Sequence, residues 1–241
     1  MENSSRQREP DHDHPTWAST ARQTWSHHWT SLAGQRRLFG TLASLVRKVL
    51  LSRAVRHYTS RFFGRNGVFV EAGCGTGESA TRIERLDRKL VGVDFTLAAL
   101  GLARRHRSFH SLVCADIFHL PFRGSSVAGI WNLGVMEHFA PPSVLASLGE
   151  FKRVVAPGGT VLLFWLPSFG LSRWVLAPLE WMRSRLAGRE FRFFPDEVNR
   201  LPSRRAAREA LGRAGLQPIS VDFNHRDGFN HLILVALRPE A

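Results

Sequence analysis

Val68-Phe69-Val70-Glu71-Ala72-Gly73-Cys74-Gly75-Thr76-Gly77 decides how the chain is read. Its first half is β-branched and aromatic, which suits a buried strand. The run ends in an acid, and three glycines follow at alternate positions before a charged stretch opens at Glu78. The pattern predicts strand, tight turn and helix start. Glycine lacks a Cβ, so such a turn lets a ligand touch the backbone itself. Free N–H groups at the helix start are expected to face that ligand.

Downstream, short apolar runs recur at 67–72, 90–95, 111–115, 127–133, 160–166, 218–223 and 231–237. Stretches rich in Arg, Glu, Leu and Ala separate the first five. This alternation predicts a mostly parallel sheet with helices on both faces. Pro157-Gly158-Gly159 predicts a turn into the fifth strand. Upstream, residues 1–15 are polar and charged, which predicts a disordered tail with no secretory leader. Residues 16–63 are expected to be a helical lid in two pieces, with Trp17, Trp25 and Trp29 on one face. The expected domain layout is a tail over 1–15, this lid, and one domain over 64–241.

Within that domain, an aromatic cap insertion is expected over about 167–197. Trp165, Phe169, Trp174, Trp181, Phe191, Phe193 and Phe194 crowd into this neighbourhood. The apolar stretch 160–182 is interrupted by Pro167, Gly170, Arg173, Pro178 and Glu180, which argues against a membrane span.

The chain has 241 residues, 44% of them hydrophobic, enough for one sizeable core. Its net charge of +13 raises nucleic acid or an anionic membrane as partners. The excess sits in the flanks. Residues 1–66 hold 11 Lys/Arg against 4 Asp/Glu, residues 67–166 hold 10 against 8, and residues 167–241 hold 12 against 8. Only Lys48, Lys89 and Lys152 are lysines, an arginine bias that genome composition explains as well as function does. Cys74 and Cys114 have no framework spacing and read as small buried residues in a reducing cytoplasm.

Four features fall at successive strand ends, where open α/β sheets bind ligands. They are the glycine loop, Asp94 after Leu90–Val93, Asp116 after Leu112–Ala115, and the Asn132-Leu133-Gly134 segment. An acid about twenty residues beyond the loop can accept both hydroxyls of a ribose. The next acid can accept from an adenine amino group. Dinucleotide loops of the G-x-G-x-x-G form need their third glycine at position 78, which here is Glu78. A carboxylate there repels a pyrophosphate. A cationic cofactor suits the loop better, with Glu71 as partner for its ammonium group.

Taken together, Glu71–Gly77, Val93-Asp94, Cys114–Ile117, Val135-Met136-Glu137-His138 and Ala156–Gly159 resemble the class I S-adenosylmethionine-dependent methyltransferases. The type 11 small-molecule group, similar to the quinone-biosynthesis enzymes, gives the nearest likeness. The resemblance covers about residues 66–166 well and residues 185–238 more loosely. It implies a Rossmann-like, seven-stranded α/β sheet with a reversed final strand. It also implies S-adenosyl-L-methionine as cofactor. Gly73, Gly75 and Gly77 would pass under the methionine part, Asp94 would hold the ribose, and Asp116 with the Ile117 backbone would read the adenine. The full cofactor set expected is Glu71, Gly73, Cys74, Gly75, Gly77, Asp94, Phe95, Asp116, Ile117, Asn132 and Leu133.

Methyl transfer from a sulfonium chiefly needs an in-line nucleophile in a dry pocket. A base serves only acceptors that must lose a proton, and His138 is the candidate, ahead of His57, His119 and His225. A cap or orienting role for Glu137-His138 remains the alternative. Some quinone O-methyltransferases hold a divalent metal with Glu-x-x-Glu-His. Gly134 stands at the first of those positions here, so no metal is expected.

The Asn/Asp-Pro-Pro-Tyr/Phe run of adenine-N6 enzymes, the Pro-Cys of cytosine-C5 enzymes and the two-glutamate loop of arginine methyltransferases are all missing. The expected partner is therefore a small hydrophobic or aromatic acceptor, not nucleic acid. The arginines of 173–192 leave a peripheral membrane contact open, and the expected location is the cytoplasm or its inner membrane surface. An NAD-dependent oxidoreductase and a non-catalytic regulator or RNA-binding protein are the rival readings.

Overall fold

A computed structural model describes residues 25, 47–84, 87–170, 181–182, 184–185 and 197–240. The expected tail over 1–15 lies outside the described residues. So do residues 16–46 of the lid apart from Trp25, and most of the cap over 167–197.

A π-helical turn, Arg47–Leu51, leads into helix α1, Ser52–Phe62. The sheet then builds from β1 (Asn66–Ala72), β2 (Asp87–Asp94), β3 (Ser111–Cys114), β4 (Val127–Leu133) and β5 (Val155–Trp165). Helix α2 is Leu97–Ala103, α3 is Pro141–Val154 and α4 is Arg204–Arg213. Strands β6 (Gln217–Asp222) and β7 (Leu232–Leu237) complete a seven-stranded sheet of order β3-β2-β1-β4-β5-β7-β6. The first five strands are parallel, and β7 runs antiparallel to both β5 and β6. This is the Rossmann-like architecture the sequence implied.

Two layers of apolar packing explain why the central strands are continuously apolar. One face, with Val70, Val93, Ile130, Leu163 and Leu234, packs on Leu148, Phe151 and Leu211 of α3 and α4. The other, with Phe69, Leu90, Trp131, Phe164 and Ile233, packs on Ala54, Val55 and Tyr58 of α1. Burying each such side chain contributes roughly 1.5–3 kcal/mol. Arg88 fixes the end of α1: its guanidinium donates to the carbonyls of Thr59, Phe63 and Gly64, where the helix dipole is negative.

Three local expectations change. The glycine loop leads into a four-residue 3-10 turn, Ser79–Arg82, instead of an α-helix. β5 starts at Val155, before the Pro-Gly-Gly turn. Its register against β4 jumps from Val127↔Val155 to Gly129↔Thr160, so the turn is a loop-out within the strand. Cys74 is buried as expected, but Cys114 is exposed, because β3 is the sheet's edge strand and has a neighbour on one side only.

Candidate functional site

The carboxyl ends of β1, β2, β3 and β4 gather the expected site residues along one edge of the sheet. Gly73, Gly75 and Gly77 all have positive φ, at 75°, 50° and 71°. A Cβ on Gly73 would meet Val135 at 2.6 Å, and one on Gly77 would meet Phe109 at 2.9 Å. Both positions therefore need glycine for conformation and for space.

The loop's N–H groups turn inward. Gly73 and Cys74 donate to the Val93 carbonyl, Gly77 donates to the Cys74 carbonyl, and Gly75 donates to Asp94 Oδ2 at 2.9 Å. These four loop N–H groups are spent on the protein itself. Such a loop offers shape, not a cluster of donors for phosphate.

Asp94 ends β2 and is buried. Its Oδ1 accepts from the Thr96 N–H and hydroxyl, and its Oδ2 from Gly75. Burial raises its pKa, and these hydrogen bonds oppose the rise. Each carboxylate oxygen accepts more than one bond, so acceptor capacity remains for a ribose. Thr96 is a contributor that sequence reading missed. Asp116 lies two residues beyond β3, half-buried, with Oδ1 accepting from the Phe118 N–H, while Ile117 beside it is buried. Phe95 is half-buried, and its carbonyl lies 3.7 Å from Cys114 Sγ.

Glu71 lies at the base of the loop and is 2% exposed. Its Oε1 accepts from the Ser79 hydroxyl, and its Oε2 has no hydrogen-bond partner among the described residues. Burial pushes its pKa up to about 8, offset in part by Ser79 and by the nearby Trp131 indole. That indole N–H and Oε2 do not meet in hydrogen-bond geometry, and both remain unpaired. Asn132, fully buried on β4, donates to the Ala72 carbonyl and leaves its Oδ1 unpaired. Glu71 pairs in register with Trp131, so its side chain and that of the next residue, Asn132, leave opposite faces of the sheet, each with one unpaired acceptor.

Glu78 is buried and points to Lys48 Nζ at 3.9 Å, on the turn that precedes α1. Leu133, the last residue of β4, pairs in register with Phe164.

His138 closes a 3-10 turn, Met136–His138, directly after β4. Its ring meets Trp25 edge-on at 4.8 Å, so one residue of the expected lid does lie over it. Glu137 is buried, with Oε2 unpaired and its pKa pushed up to about 8 by desolvation. Its main-chain carbonyl accepts from the N–H groups of Val198 and Asn199, which pins the chain where it returns from the insertion. His57 lies on α1, His119 follows β3, and His225 opens a 3-10 turn between β6 and β7. Trp165 belongs to the core, not to a cap: it is buried at the end of β5, and its indole donates to the Asn199 carbonyl. Of the other expected cap aromatics, Phe169 and Trp181 are exposed, and the rest lie outside the described residues. No helix among the described residues is long and apolar enough to cross a membrane.

A strand–glycine-loop–turn unit with acids at the next two strand ends, in this strand order, defines an α/β protein of the class I methyltransferase fold. Comparison with known proteins gives relatives of the same kind. Residues 70–163 match the profile described as a methyltransferase domain. A malonyl-[acyl-carrier protein] O-methyltransferase of Yersinia pestis is 30% identical over 95 residues, 39% of this chain and 35% of the relative. A demethylmenaquinone methyltransferase of Thermus thermophilus is 27% identical over 161 residues, 61% of this chain and 72% of the relative. Among solved structures, magnesium protoporphyrin IX methyltransferase from Synechocystis, with S-adenosylhomocysteine bound, superposes with a TM-score of 0.64. It is 16% identical, over 92% of this chain and 99% of that one, a likeness of fold. The chain spans a third to a half of the length of the first curated relatives it matches. Residues 70–163 thus match a methyltransferase domain, and the fold is that of a methyltransferase solved with S-adenosylhomocysteine bound.

Proposed function

We propose that the chain transfers the methyl group of S-adenosylmethionine to a small acceptor with an aromatic or lipophilic body. The observation that carries this reading is buried Glu71, its Oε2 unpaired among the described residues, at the base of a loop whose N–H groups are largely spent internally. A cationic amino acid moiety suits that oxygen, and a pyrophosphate does not.

When bound, the sulfonium supplies an activated methyl group and a neutral leaving group. The chain's own residues do the rest. Asp94 accepts from the ribose hydroxyls. Asp116 and the Ile117 N–H bind the adenine edge. Glu71 would accept from the α-ammonium, losing its proton as the cation arrives, and Asn132 would line the site from the end of β4. Gly73, Gly75 and Gly77 let the cofactor lie against the backbone, and Cys74, Phe95 and Leu133 complete the surrounding wall. His138 takes the proton from an acceptor that must lose one, and Trp25 helps keep water away from that step.

The acceptor class rests on the aromatic residues around the exit of β5 and on one relative's name, which specifies demethylmenaquinone, a quinone. No metal enters this scheme. The deciding experiment is calorimetric titration with S-adenosylmethionine, S-adenosylhomocysteine and NAD, followed by assay of S-adenosylhomocysteine release over a panel of phenols, quinols and carboxylates. Binding of NAD with no binding of S-adenosylhomocysteine would overturn the reading.

A further inference from the structure

The carboxyl edge of the sheet continues past the cofactor half, across the ends of β5 and β6 and the start of β7. Three phenylalanines from three different connections meet there. Phe169 follows β5, Phe223 follows β6, and Phe229 precedes β7. Phe169 and Phe223 lie edge-to-face with centroids 5.2 Å apart, and Phe223 and Phe229 are tilted at 5.5 Å. Phe169 is 44% exposed and Phe229 45%.

These rings are held in place at a cost. Phe229 has φ 55°, a left-handed conformation that strains a bulky residue. Its N–H is bound to the Asn224 carbonyl at 3.0 Å. On one side of the turn, Tyr58 of α1 donates to Asp222 at 2.8 Å and accepts from Asn224 at 2.9 Å. On the other, buried Asp227 accepts from the His231 N–H at 2.7 Å and sits 3.0 Å from its Nδ1. The segment after β5 is fitted to the same turn, since a Cβ on Gly170 would lie 2.8 Å from the Asn230 carbonyl. Two polar networks and one strained residue thus hold two apolar rings out towards solvent. Nothing in core stability requires that, whereas a preorganised apolar ligand surface does.

We propose that Phe169, Phe223 and Phe229 form the subsite for the apolar body of the methyl acceptor, and that this subsite selects for length and lipophilicity. The proposal rests on the methyltransferase reading and gives the acceptor a direction. Its reacting atom lies above the end of β4, near His138. Its apolar extension runs along the sheet edge over β5 and β7. The rings lean on one another as a wall, which suits a ligand lying along them better than single side chains entering a bilayer.

The test uses the full chain loaded with S-adenosylhomocysteine and titrated with 4-n-alkylphenols from ethyl to octyl. In the wild type, affinity should rise about fourfold per added methylene. The double variant Phe169→Ser, Phe229→Gly should flatten that slope and weaken octylphenol about tenfold. It should bind S-adenosylhomocysteine as before. Glycine accepts φ 55° without strain, so the variant's Tm should stay level or rise. A purely structural role would lower it. Equal slopes in both proteins, or no alkylphenol binding by the wild type, overturns the proposal. So does an unchanged slope with lost binding to phosphatidylglycerol vesicles, which would make the patch a membrane contact. Failure of S-adenosylhomocysteine to bind either protein sinks the methyltransferase reading instead, and the alkylphenol slopes still judge the subsite.

Discussion

The two halves of the sheet's carboxyl edge are organised by opposite means. The cofactor half, over β1 to β4, is made by backbone: glycines at positive φ, main-chain N–H groups turned inward, and Asp94 tying the loop to β2. The other half, over β5 to β7, is made by side chains far apart in sequence, with Tyr58 holding Asp222 and Asn224. In the proposed function the first half would bind a cofactor common to a large fold class, for which local geometry suffices. The second would have to suit one acceptor, and side-chain networks can be altered without disturbing the sheet.

The comparison can be broken at several points. The largest effect is expected from Asp94→Ala, which removes both the proposed ribose acceptor and the anchor of Gly75 and Thr96. Hydrogen bonds to charged groups are worth about 1.5–3 kcal/mol each, so S-adenosylhomocysteine affinity should fall by roughly two orders of magnitude or more. An affinity within threefold of wild type would show that the loop does not depend on this carboxylate.

Glu71→Gln comes next, with an expected loss of about tenfold. Its sharper signature is protons. With the apo pKa near 8, Glu71 is mostly neutral at pH 7, and ionises when a cation binds beside it. Calorimetry in buffers of differing ionisation enthalpy should show close to one proton released per S-adenosylhomocysteine bound to wild type. The variant should release none, and equal release from both would remove Glu71 from the cation site.

Glu137 offers a smaller, thermodynamic test. Its folded pKa is near 8, above the ordinary carboxylate value of 4.5. The fold therefore favours the neutral acid: that stabilisation is complete below about pH 4.5 and is lost as pH rises through 8. Glu137→Gln should resist this loss, leaving its Tm about 3 °C above wild type at pH 9 and level with it at pH 4. Identical pH profiles would mean the carboxyl ionises freely. The smallest effect is expected from chelation: EDTA should leave methyl transfer within about twofold of the untreated protein, because Gly134 stands where a further carboxylate ligand would be needed.

How much of this was legible follows the same division. Central parallel strands read as continuous apolar runs, and a glycine loop is a local pattern, so strand positions and the glycine turn with acids at the next strand ends could be read from sequence. Trp165 was misplaced because an apolar residue at a strand end looks the same whether it faces the core or a ligand. The partnership of Tyr58 with Asp222 spans 164 residues and leaves no local trace. Phe223 and Phe229 were overlooked although they flank the turn-forming run Asn224–Gly228, a signal that two exposed aromatics share one tight connection.

The edge position of β3 has a practical consequence. The chain has two cysteines, one sealed beneath the glycine loop with its thiol pKa raised by burial, the other on the open flank of the sheet. A maleimide dye should therefore attach at Cys114 alone in the folded protein, two residues from Asp116. The wild-type chain carries its own attachment point for an optical reporter beside the proposed adenine end of the cofactor site.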